Sequence, residues 1–575
     1  MMLATNLPEG FFSTTSLGLD LETTCRIEGS PDPHRDKTLL VSLGNGTETI
    51  VLEPGPWLPT LFETLSNKRV TVIAHNAEFD LRFLRALGYD GHVANLWDTM
   101  IVEQLLTAGW GERVGLGPTV WRRLSRQIDK TLQKSFTNHK GNFTPKQIEY
   151  SRRDAEILPE LMKVQRERCR QEGLMDVTDL ENRLVPVVAD MEWRGVGFDL
   201  DRWEELKTKE LEQAGKAERE LAYVLELPCY TLNLFGGVST GINFNSPQQV
   251  LCALNHAGVN VSNTGESILV KYKEKHPESI IVLNPLIDYK KCMKRIGFGY
   301  DKYVNPVTSR IHTHYKQCRA RTGRFSSTNP NLQNVPKSQY YRSLFVAAPG
   351  CVLITADYAQ QEMRILAYVA KDKALKHMCM EGDVYLAIAR NMFSDPSIQK
   401  SDNRRDLSKG SGLAMAYGAG AETIAETSGV SYVAAEKIVA FVRETFPNVT
   451  RWAKKRCQQA VTEGWVQTLS GRKRWFPPAQ EGGNWATEPR NTPIQGTAAD
   501  MLKLAMVYVD ETLRKGGYKS RIVLTVHDEL VIEAPEEEAK DVAQIVELDM
   551  MRAGEYYVPD IPMPVDVVTA KDWRK

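Results

Sequence analysis

Hydrophobic and polar positions near the end of the chain predict a β-hairpin with an acidic turn. The segment VLTVHDELVIEAP contains β-branched runs that favour strands at residues 523–526 and 530–532. Between them lie His527, Asp528 and Glu529. Acidic residues are common in solvated turns, so two explanations stay open at this point: an ordinary turn, or a site built on adjacent carboxylates.

The same kind of pattern divides the rest of the chain into regions. Up to about residue 172, apolar strands such as LGLDLE and TVIAHN alternate with helices, which is typical of an α/β domain. Residues 147–172 are predicted as one helix and residues 181–222 as another, with more helix to about residue 297. In the last region we predict a strand at 352–355 and helices at 361–370, 404–417 and 498–513.

Composition places the chain among ordinary globular proteins. Its 575 residues suggest about three to four domains, and 42% of them are hydrophobic and 25% charged. Because no apolar run reaches the ~18 residues that a membrane span needs, we expect no membrane partner. The nine cysteines are scattered without CxxC pairs, which favours a reducing compartment, the cytoplasm, over a zinc or disulfide framework.

A net charge of zero hides one basic segment. Residues 309–344 contain no Asp or Glu, and their basic residues are Arg310, Lys316, Arg319, Arg321, Arg324, Lys337 and Arg342. Local patches of this kind, rather than the total charge, indicate nucleic-acid binding. The alternative is a solvated basic face.

Carboxylates recur at regular spacings in the first region. Asp20 and Glu22 are two apart in LGLDLETT, so on a strand they project from one face. Two further pairs are four residues apart: Asn76 with Asp80, and Tyr150 with Asp154. Hard oxygen ligands suit Mg²⁺ or Mn²⁺, but each pair taken alone is a common surface pattern.

Taken in order, these motifs resemble the DEDD-type 3′→5′ exonuclease domain in its tyrosine-containing form, whose pattern is DxE, NxxxD, YxxxD. The resemblance implies a ribonuclease-H-like fold in which two metal ions activate a water and stabilise the leaving oxygen of a phosphodiester. It implies that the metals are held by Asp20, Glu22, Asp80 and Asp154. Tyr150 would then orient the attacking water, and Asn76 would help to position the substrate.

A second set of candidate residues lies in the last region. Asp357 ends the apolar strand in VLITADYAQQEMRIL, and one sheet could bring it beside Asp528 as a second two-metal site. In RRDLSKGSGLAMAYG, a helix would align Arg405, Lys409, Leu413 and Tyr417 as a cationic stripe that turns apolar. Arg and Lys one turn apart suit a triphosphate, although an ordinary charged surface helix is the alternative.

From about residue 181 the chain resembles the family A DNA polymerases, the bacterial DNA polymerase I group. The motifs that carry the resemblance are RTGRFSSTNPNLQNVP, ADYAQQEMRILA, RRDLSKGSGLAMAYG, NTPIQGTAAD and VHDELV. With the exonuclease in front, the implied architecture is Klenow-like and α/β multidomain, without room for a 5′-nuclease domain. The implied domains are an exonuclease at 1–172 and a right-hand polymerase at 173–575, with thumb about 181–305, palm about 306–370 and 490–575, and fingers about 371–489.

The resemblance also implies catalytic roles. Asp357 and Asp528, with the backbone carbonyl of Tyr358, would bind two Mg²⁺ ions, which activate the primer 3′-hydroxyl and hold the triphosphate. Two Mg²⁺ ions are expected in the exonuclease site as well, and Mn²⁺ could replace them. Glu529 is expected to support the catalytic site rather than to be an obligatory ligand. Lys409 would protonate the leaving pyrophosphate.

The remaining implied roles concern the nucleotide and the DNA. The nucleotide contacts are the triphosphate ligands Arg405 and Lys409, the pocket residues Leu413, Gln360 and Tyr385, Tyr417 near the templating base, and Glu362, which would exclude a 2′-hydroxyl. Primer-end contacts are His527 and, in the minor groove, Arg324, Asn491 and Gln495. Arg319, Arg321 and Lys337 are expected to bind phosphates without sequence preference.

Several positions depart from the family pattern. Leu413 stands where Phe or Tyr is usual, which puts sugar discrimination in doubt. Ala359 replaces a common Ser, Gln361 a common Ile, and Tyr385 a frequent His. Since these cluster around the implied nucleotide pocket, we expect a divergent, phage-type replicative member with unusual nucleotide selection.

The expected function is therefore template-directed DNA synthesis with proofreading. Its partners would be primer–template DNA and dNTPs, with an unidentified processivity partner as an option. The protein would act as a monomer in the cytoplasm, which is that of the host cell if a phage encodes it. Three other readings stay open: a single-subunit RNA polymerase, an exonuclease whose polymerase half only binds DNA, and a non-catalytic binding module.

Overall fold

A computed structural model describes residues 3–4, 6–26, 31–227, 241–428, 430–476 and 487–575; the side chains of residues 413, 414, 416, 417, 427 and 428 are outside this description. The chain falls into two units, one made of Met1–Gly197 with Pro306–Lys575, the other of Phe198–Asn305. The second unit lies within the segment expected to form the thumb. The expected domain boundaries themselves stay a prediction. None of the described helices is both long enough and apolar enough to cross a bilayer.

The strands are β1 (Ser16–Thr23), β2 (Thr38–Gly44), β3 (Thr49–Leu52), β4 (Thr71–Ala74), β5 (Leu96–Asp98), β6 (Val196–Phe198), β7 (Arg310–Ile311), β8 (His314–Lys316), β9 (Ser326–Thr328), β10 (Phe345–Val346), β11 (Cys351–Tyr358), β12 (Trp465–Gln467), β13 (Lys473–Trp475), β14 (Arg521–Val526), β15 (Glu529–Pro535) and β16 (Val565–Ala570).

The helices are α1 (Leu58–Leu65), α2 (Ala77–Ala86), α3 (Thr99–Leu106), α4 (Leu116–Leu124), α5 (Pro145–Glu156), α6 (Leu158–Glu172), α7 (Met175–Arg194), α8 (Leu200–Val224), α9 (Pro247–His256), α10 (Glu266–Lys275), α11 (Ile280–Ile296), α12 (Gln339–Arg342), α13 (Gln361–Ala370), α14 (Lys373–Met380), α15 (Val384–Met392), α16 (Asn403–Tyr417), α17 (Ala421–Ser428), α18 (Tyr432–Thr445), α19 (Pro447–Thr462), α20 (Glu488–Lys515) and α21 (Ala539–Tyr557).

The N-terminal sheet has the order β3–β2–β1–β4–β5, with β1 antiparallel to β2 and parallel to β4. Helix α5 packs very closely on β1 and β2 because both strands present a glycine to it. A Cβ added at Gly18 would lie 2.5 Å from the carbonyl oxygen of Ala155, and one added at Gly44 would lie 3.0 Å from the same atom. These two glycines therefore fix the distance between the sheet and the helix that carries Asp154.

The C-terminal sheet has the order β14–β15–β11–β16, and all its pairings are antiparallel. It confirms the hairpin predicted from the β-branched runs and extends the predicted strand at 352–355 to the whole of β11. Long helices α20 and α21 pack together and bury apolar residues such as Met501 and Met550. The second unit contains α8 to α11, of which α8 and α11 are in contact along their lengths.

Two segments that were predicted as single long helices each contain two helices, so both predictions were wrong. Residues 147–172 form α5 and α6, because Pro159 lies in the first turn of α6 and lacks the N–H that would continue a helix through Ile157. Residues 181–222 are divided between α7 and α8. Gly195, at φ 61°, ends α7, and a Cβ there would lie 2.6 Å from the carbonyl oxygen of Ile311. Asp199 then caps α8 by accepting a hydrogen bond from Arg202 N.

Of three other predicted helices, two are confirmed and one begins earlier than predicted. Those at 361–370 and 404–417 are confirmed as α13 and α16. The helix predicted to begin at residue 498 begins at Glu488 instead. Pro493 is tolerated inside α20, because near the start of a helix its missing N–H removes only one intrahelical hydrogen bond. Asn491 and Gln495 consequently lie on α20, one turn apart.

Four buried charges join separate elements of the first unit. Glu181 of α7 accepts a hydrogen bond from Lys503 of α20 at 2.6 Å and also contacts Arg472, which precedes β13. Arg472 Nε donates to Asp500 of α20 at 2.8 Å. Gln317, just after β8, donates to the backbone carbonyl of Glu181 and accepts from Lys503 at 2.8 and 2.9 Å. We call these four charges the buried charge network.

Replacing Glu181 with Gln is expected to destabilise the protein by about 3–5 kcal/mol at pH 7, because it leaves Lys503 buried without a counter-charge, while Arg472 keeps only Asp500. Burial alone would raise the pKa of Glu181, but Lys503 and Arg472 lower it to about 2. The folded pKa thus lies below the unfolded value of about 4.3, so this stabilisation is present above that value and is lost as the pH falls towards 2.

Urea unfolding of wild type and Glu181→Gln measures the effect. The exposed Glu63→Gln on α1 is the control and should stay within ~0.5 kcal/mol of wild type. A Glu181→Gln protein as stable at pH 7 as this control would show that the network contributes no stability.

Candidate active sites

Strand β1 and helices α2 and α5 bring the predicted carboxylates of the first region together. Asp20 and Glu22 project from β1, and Asp154 from α5; ligand oxygens of the three lie within 4.8 Å of one another. Asp80, in the first turn of α2, accepts a hydrogen bond from Leu21 N of β1 at 3.2 Å. We call Asp20, Glu22, Asp80 and Asp154 the N-terminal carboxylate cluster.

Burial makes the repulsion within this cluster strong. Burial and the neighbouring Asp154 raise the pKa of Asp20 to about 8. Burial, followed by the charge of Asp20, raises the pKa values of Glu22 and Asp80 well above their usual range. Asp154 Oδ1 is buried and has no hydrogen-bond partner among the described residues. Unpaired hard oxygens that repel one another are the donor set of a divalent cation, so the residues present fit such an ion.

Tyr150 and Asn76 lie beside the cluster as predicted. Tyr150 is one turn before Asp154 on α5, and burial together with Asp154 raises the pKa of its phenol. Asn76 begins α2 with a left-handed backbone at φ 74°, and its N–H donates to Asp98 at 3.2 Å. Lys130, which the sequence did not single out, contacts Asp154 and places its Nζ 3.4 Å from Tyr150 Oη.

A cavity of about 1470 Å³ opens over this cluster. It exceeds the roughly 300–1,000 Å³ of sites that hold one small ligand, so a segment of a polymer would fit. Its basic lining residues in the described chain are Arg113, Lys130, Lys134, Lys316, Arg319 and Arg321. Arg319 and Arg321 were expected to bind phosphates without sequence preference, and the structure places them on the wall of this cavity.

The C-terminal sheet brings Asp357 and Asp528 together, and we call them the C-terminal carboxylate pair. Asp357 pairs with Glu529 across β11 and β15, while Asp528 occupies the hairpin turn that His527 forms with φ 57°. Burial and then the charge of Asp528 raise the pKa of Asp357 to about 6. Asp357 Oδ1 is buried without a hydrogen-bond partner in the described residues, which again fits a cation. Tyr358 N lies 3.4 Å from the carbonyl oxygen of Asp528.

Glu529 is directed into the protein rather than towards open space. It is 1% exposed, accepts from Arg342 at 3.0 Å and contacts the indole N–H of Trp573. The supporting role expected for Glu529 stays a prediction. Arg342 is itself buried, so the prediction that it belongs to a basic surface was wrong. Arg310 is also engaged within the protein, since it forms an ion pair with Glu533 at 3.1 Å.

A lysine that the sequence did not single out lies at this pair. Lys575 Nζ is 2.5 Å from Asp357 Oδ2 and 3.8 Å from Glu529 Oε2. Both carboxylate sites therefore have a lysine from a separate segment in contact with an aspartate.

The predicted nucleotide residues lie near one another around α13, α15 and α16. Arg405 of α16 donates to Asp383 at 2.7 Å, and Gln360 Nε2 donates to the same carboxylate at 2.8 Å. Lys409, one turn after Arg405, is half exposed and pairs with Asp406 at 2.6 Å. Asp383, which the sequence did not single out, fixes Arg405. In the sequence, the pattern around Asp383 indicates a helix N-cap, since the residue directly precedes α15.

Other predicted pocket residues are placed as follows. Glu362 of α13 contacts Arg324. Tyr385 of α15 packs against α16 at Gly412, where an added Cβ would lie 3.1 Å from its hydroxyl. Gln361 points away from this pocket, since its amide donates to Ala498 O at 3.2 Å. The side chains of Leu413 and Tyr417 lie outside the described residues.

The predicted primer-end residues divide into two groups. His527 has cations around it: partial burial of the ring, then the charges of Arg324 and Lys337, lower its pKa. Asn491 and Gln495 lie half-buried near the start of α20, and Asn491 Oδ1 has no hydrogen-bond partner in the described chain. This amide oxygen is buried and its hydrogen-bonding capacity is unused by the described residues.

Comparison with known families decides the affiliation. The sequence profile described as DNA polymerase family A matches residues 228–575, and that described as 3′-5′ exonuclease matches residues 6–166. The chain belongs to DNA polymerase family A. Its fold is α/β, with an exonuclease domain followed by a family A polymerase domain.

Two curated relatives are DNA polymerases I. This family A chain is 30% identical over 569 residues to that of Chloroflexus aurantiacus, covering 94% of this chain and 58% of that protein. It is 32% identical over 419 residues to the thermostable enzyme of Thermus filiformis, covering 69% of this chain and 48% of that protein. The chain thus spans about half the length of the curated relatives it matches.

A solved structure supports the fold of this family A chain. The polymerase domain of Pol1 from M. smegmatis, in complex with DNA primer-template and dNTP, superposes with a TM-score of 0.84. The match covers 99% of this chain and 98% of that chain at 24% identity.

We expect Mn²⁺ to bind at two independent places, because each carboxylate site carries buried, unpaired oxygens. Asp20→Asn should weaken binding at the N-terminal cluster and Asp528→Asn at the C-terminal pair, each by at least about tenfold, since ligand charge sets the affinity for hard cations. Electron paramagnetic resonance of free Mn²⁺ measures both. Exposed Asp176→Asn is the control; equal losses in all three variants would contradict two separate sites.

Proposed function

We propose that this chain is a DNA-directed DNA polymerase that transfers nucleotides from dNTPs to a primer 3′-hydroxyl and removes misincorporated nucleotides with a 3′→5′ exonuclease. The observation that carries the proposal is the presence of two separate buried carboxylate sites. One lies in the region that matches the exonuclease profile and the other in the region that matches the polymerase profile. The names of the relatives and their metal-dependent domain types support it.

In the polymerase site, the chain's own residues would position the reactants. Two Mg²⁺ ions bound at Asp357 and Asp528 would activate the primer hydroxyl and stabilise the departing pyrophosphate. Arg405, held by Asp383, provides a fixed guanidinium for the triphosphate, since paired donors suit phosphate oxygens. Lys409 is half exposed and would donate a proton to the leaving group.

In the exonuclease site, the acidic cluster would hold Mg²⁺ ions that activate the attacking water. Tyr150 lies beside Asp154, and its phenol stays protonated because burial raises its pKa. It would therefore orient the water by donating or accepting a hydrogen bond rather than act as a base. Asn76, at the start of α2, would contact the substrate in the same cavity.

The proposed partners are primer–template DNA and dNTPs, with the chain acting as a monomer. His527, Arg324 and Lys337 would surround the primer end, and Asn491 and Gln495 would contact the minor groove, whose acceptors are similar in all base pairs. The described cysteines are free thiols, which supports a reducing compartment such as the cytoplasm. A phage origin, a replicative role and a processivity partner stay predictions.

Primer extension and degradation test the two-site proposal. With Mg²⁺ and dNTPs, Asp528→Ala should lower extension by at least about 10³-fold and leave degradation of single strands, because loss of a metal ligand removes several kcal/mol of transition-state stabilisation. Asp20→Ala should do the reverse. The exposed Asp176→Ala should retain both activities. A wild-type protein that degrades DNA but never extends a primer would leave the polymerase half as a DNA clamp.

Sugar selection distinguishes a DNA polymerase from a single-subunit RNA polymerase. Wild type should prefer dNTPs, and Glu362→Ala should reduce that preference by roughly 10- to 200-fold, the range that one pocket contact commonly supplies. Glu362→Gln keeps the bulk and loses the charge and the Arg324 ion pair, so it separates steric from electrostatic exclusion. Single-nucleotide incorporation kinetics give the ratio, and a wild-type preference for rNTPs would favour the RNA polymerase reading.

A further inference from the structure

Residues 316–324, which we call the bridging segment, pass from one candidate site to the other. Lys316, Arg319 and Arg321 line the cavity above the N-terminal carboxylate cluster. Three residues further on, Arg324 contacts Glu362 and lies close enough to His527 to lower its pKa. One short stretch therefore has cations at the exonuclease cavity and a cation at the polymerase pocket.

Arg319 and Arg321 are not used to hold the fold together. Both side chains are exposed, and among the residues that the structure describes neither has an ion-pair or hydrogen-bond partner. Arg310 and Arg342, from the same basic stretch, are by contrast tied to Glu533 and Glu529. The two unpaired guanidinium groups are therefore available to a ligand.

The backbone beneath these arginines is held firmly at both ends. Gln317 is hydrogen-bonded to Glu181 and Lys503 of the buried charge network. Cys318 packs against two apolar clusters of the exonuclease region. Gly323, at φ 78°, lies against Arg472 of the same network, where an added Cβ would be 2.7 Å from Nε. The basic side chains thus project from a fixed base.

Positive charge at this cavity would favour the binding of a phosphodiester chain. Its floor is acidic, and a phosphodiester chain approaching it is repelled by the same carboxylates that would hold the metals. Half of the basic residues that line it in the described chain come from the bridging segment: Lys316, Arg319 and Arg321. These groups can neutralise phosphates upstream of the scissile bond, and Arg does so with paired donors.

We propose, on the basis of the proposed function, that Arg319 and Arg321, with Lys316, bind the phosphates of the single-stranded 3′ end in the exonuclease cavity. The polymerase domain would then supply part of the editing site. The bridging segment sets how readily a frayed primer end stays there. The ligand is single-stranded DNA backbone, and the contacts carry no base preference.

The test uses the full-length Arg319→Ala/Arg321→Ala variant and a 5′-labelled oligo(dT) with Mg²⁺. We expect KM for degradation to rise roughly three- to tenfold with kcat within about twofold, and the salt dependence of log KM to fall by about 1.4 because two single-strand phosphate contacts are lost. Extension of a fully matched primer should stay within about twofold of wild type. Arg319→Lys/Arg321→Lys should restore most of the affinity, since lysine keeps the charge.

Two controls and one binding measurement complete the test. Lys68→Ala/Arg69→Ala removes the same charge from an exposed part of the exonuclease region outside the cavity, and should change nothing. Fluorescence anisotropy in Ca²⁺, with matched and triply mismatched primer ends, reads binding without turnover. The Arg319→Ala/Arg321→Ala variant should bind the mismatched end less tightly and the matched end as wild type does.

The outcomes separate this proposal from the proposed function. A wild type that degrades nothing would contradict the exonuclease, while the anisotropy still tests the arginines. Weaker binding and extension of matched primer–template, with KM for the single strand unchanged, would assign the arginines to duplex DNA and overturn the proposal. A fall in kcat alone, an equal loss in the control variant, or no change at all would overturn it as well.

Discussion

Four charges buried among α7, α20 and the approach to β13 determine how the first unit is arranged. Taking Glu181, Asp500, Arg472 and Lys503 out of water costs several kcal/mol for each ion, and only close pairing offsets it. That pairing has strict geometry, so it fixes relative positions more than it adds stability. The bridging segment and α20 are both held by it. Because Asn491 and Gln495 lie near the start of α20, the same constraint positions residues expected at the primer end.

Both carboxylate sites use sheet geometry to place like charges where water is scarce. In each, an aspartate at or near the end of a strand meets a second acid from another element, and burial raises a pKa. In each, a lysine from a separate segment contacts an aspartate. The arrangement makes the sites costly unless positive charge is supplied. Bound cations would offset this cost, whereas without them the repulsion between the acids destabilises the fold.

Much of the fold and of the candidate sites could be predicted from the sequence, wherever periodicity and residue spacing indicate which side chains share a face. Asp20 and Glu22 share a strand face and Tyr150 and Asp154 a helical turn, so local geometry sufficed for them. The meeting of Asp357 with Asp528 was a hypothesis that the register of β11 and β15 supports. Family resemblance supplied the roles, which spacing alone cannot give.

What the sequence could not reveal depends on contacts between distant segments. Lys130 and Lys575 stand in no periodic pattern, and only the folded chain brings them to the carboxylates. Arg342 appeared to belong to a basic surface because its partner Glu529 is far along the chain. Pro159 and Gly195 were overlooked as breaks within charged, helix-favouring stretches, and the start of α20 at Glu488 was missed as well.

The two glycines under α5 have an evolutionary consequence. Gly18 and Gly44 carry no chemistry, yet the helix backbone rests so closely on them that one methyl group would push α5, and Asp154 with it, off the sheet. If the chain copies and edits DNA as proposed, inherited changes at these codons would raise the error rate of copying while every acidic residue stays intact. On that proposal, a lineage under pressure to mutate faster would have, in these two positions, a route that spares the residues of the C-terminal carboxylate pair.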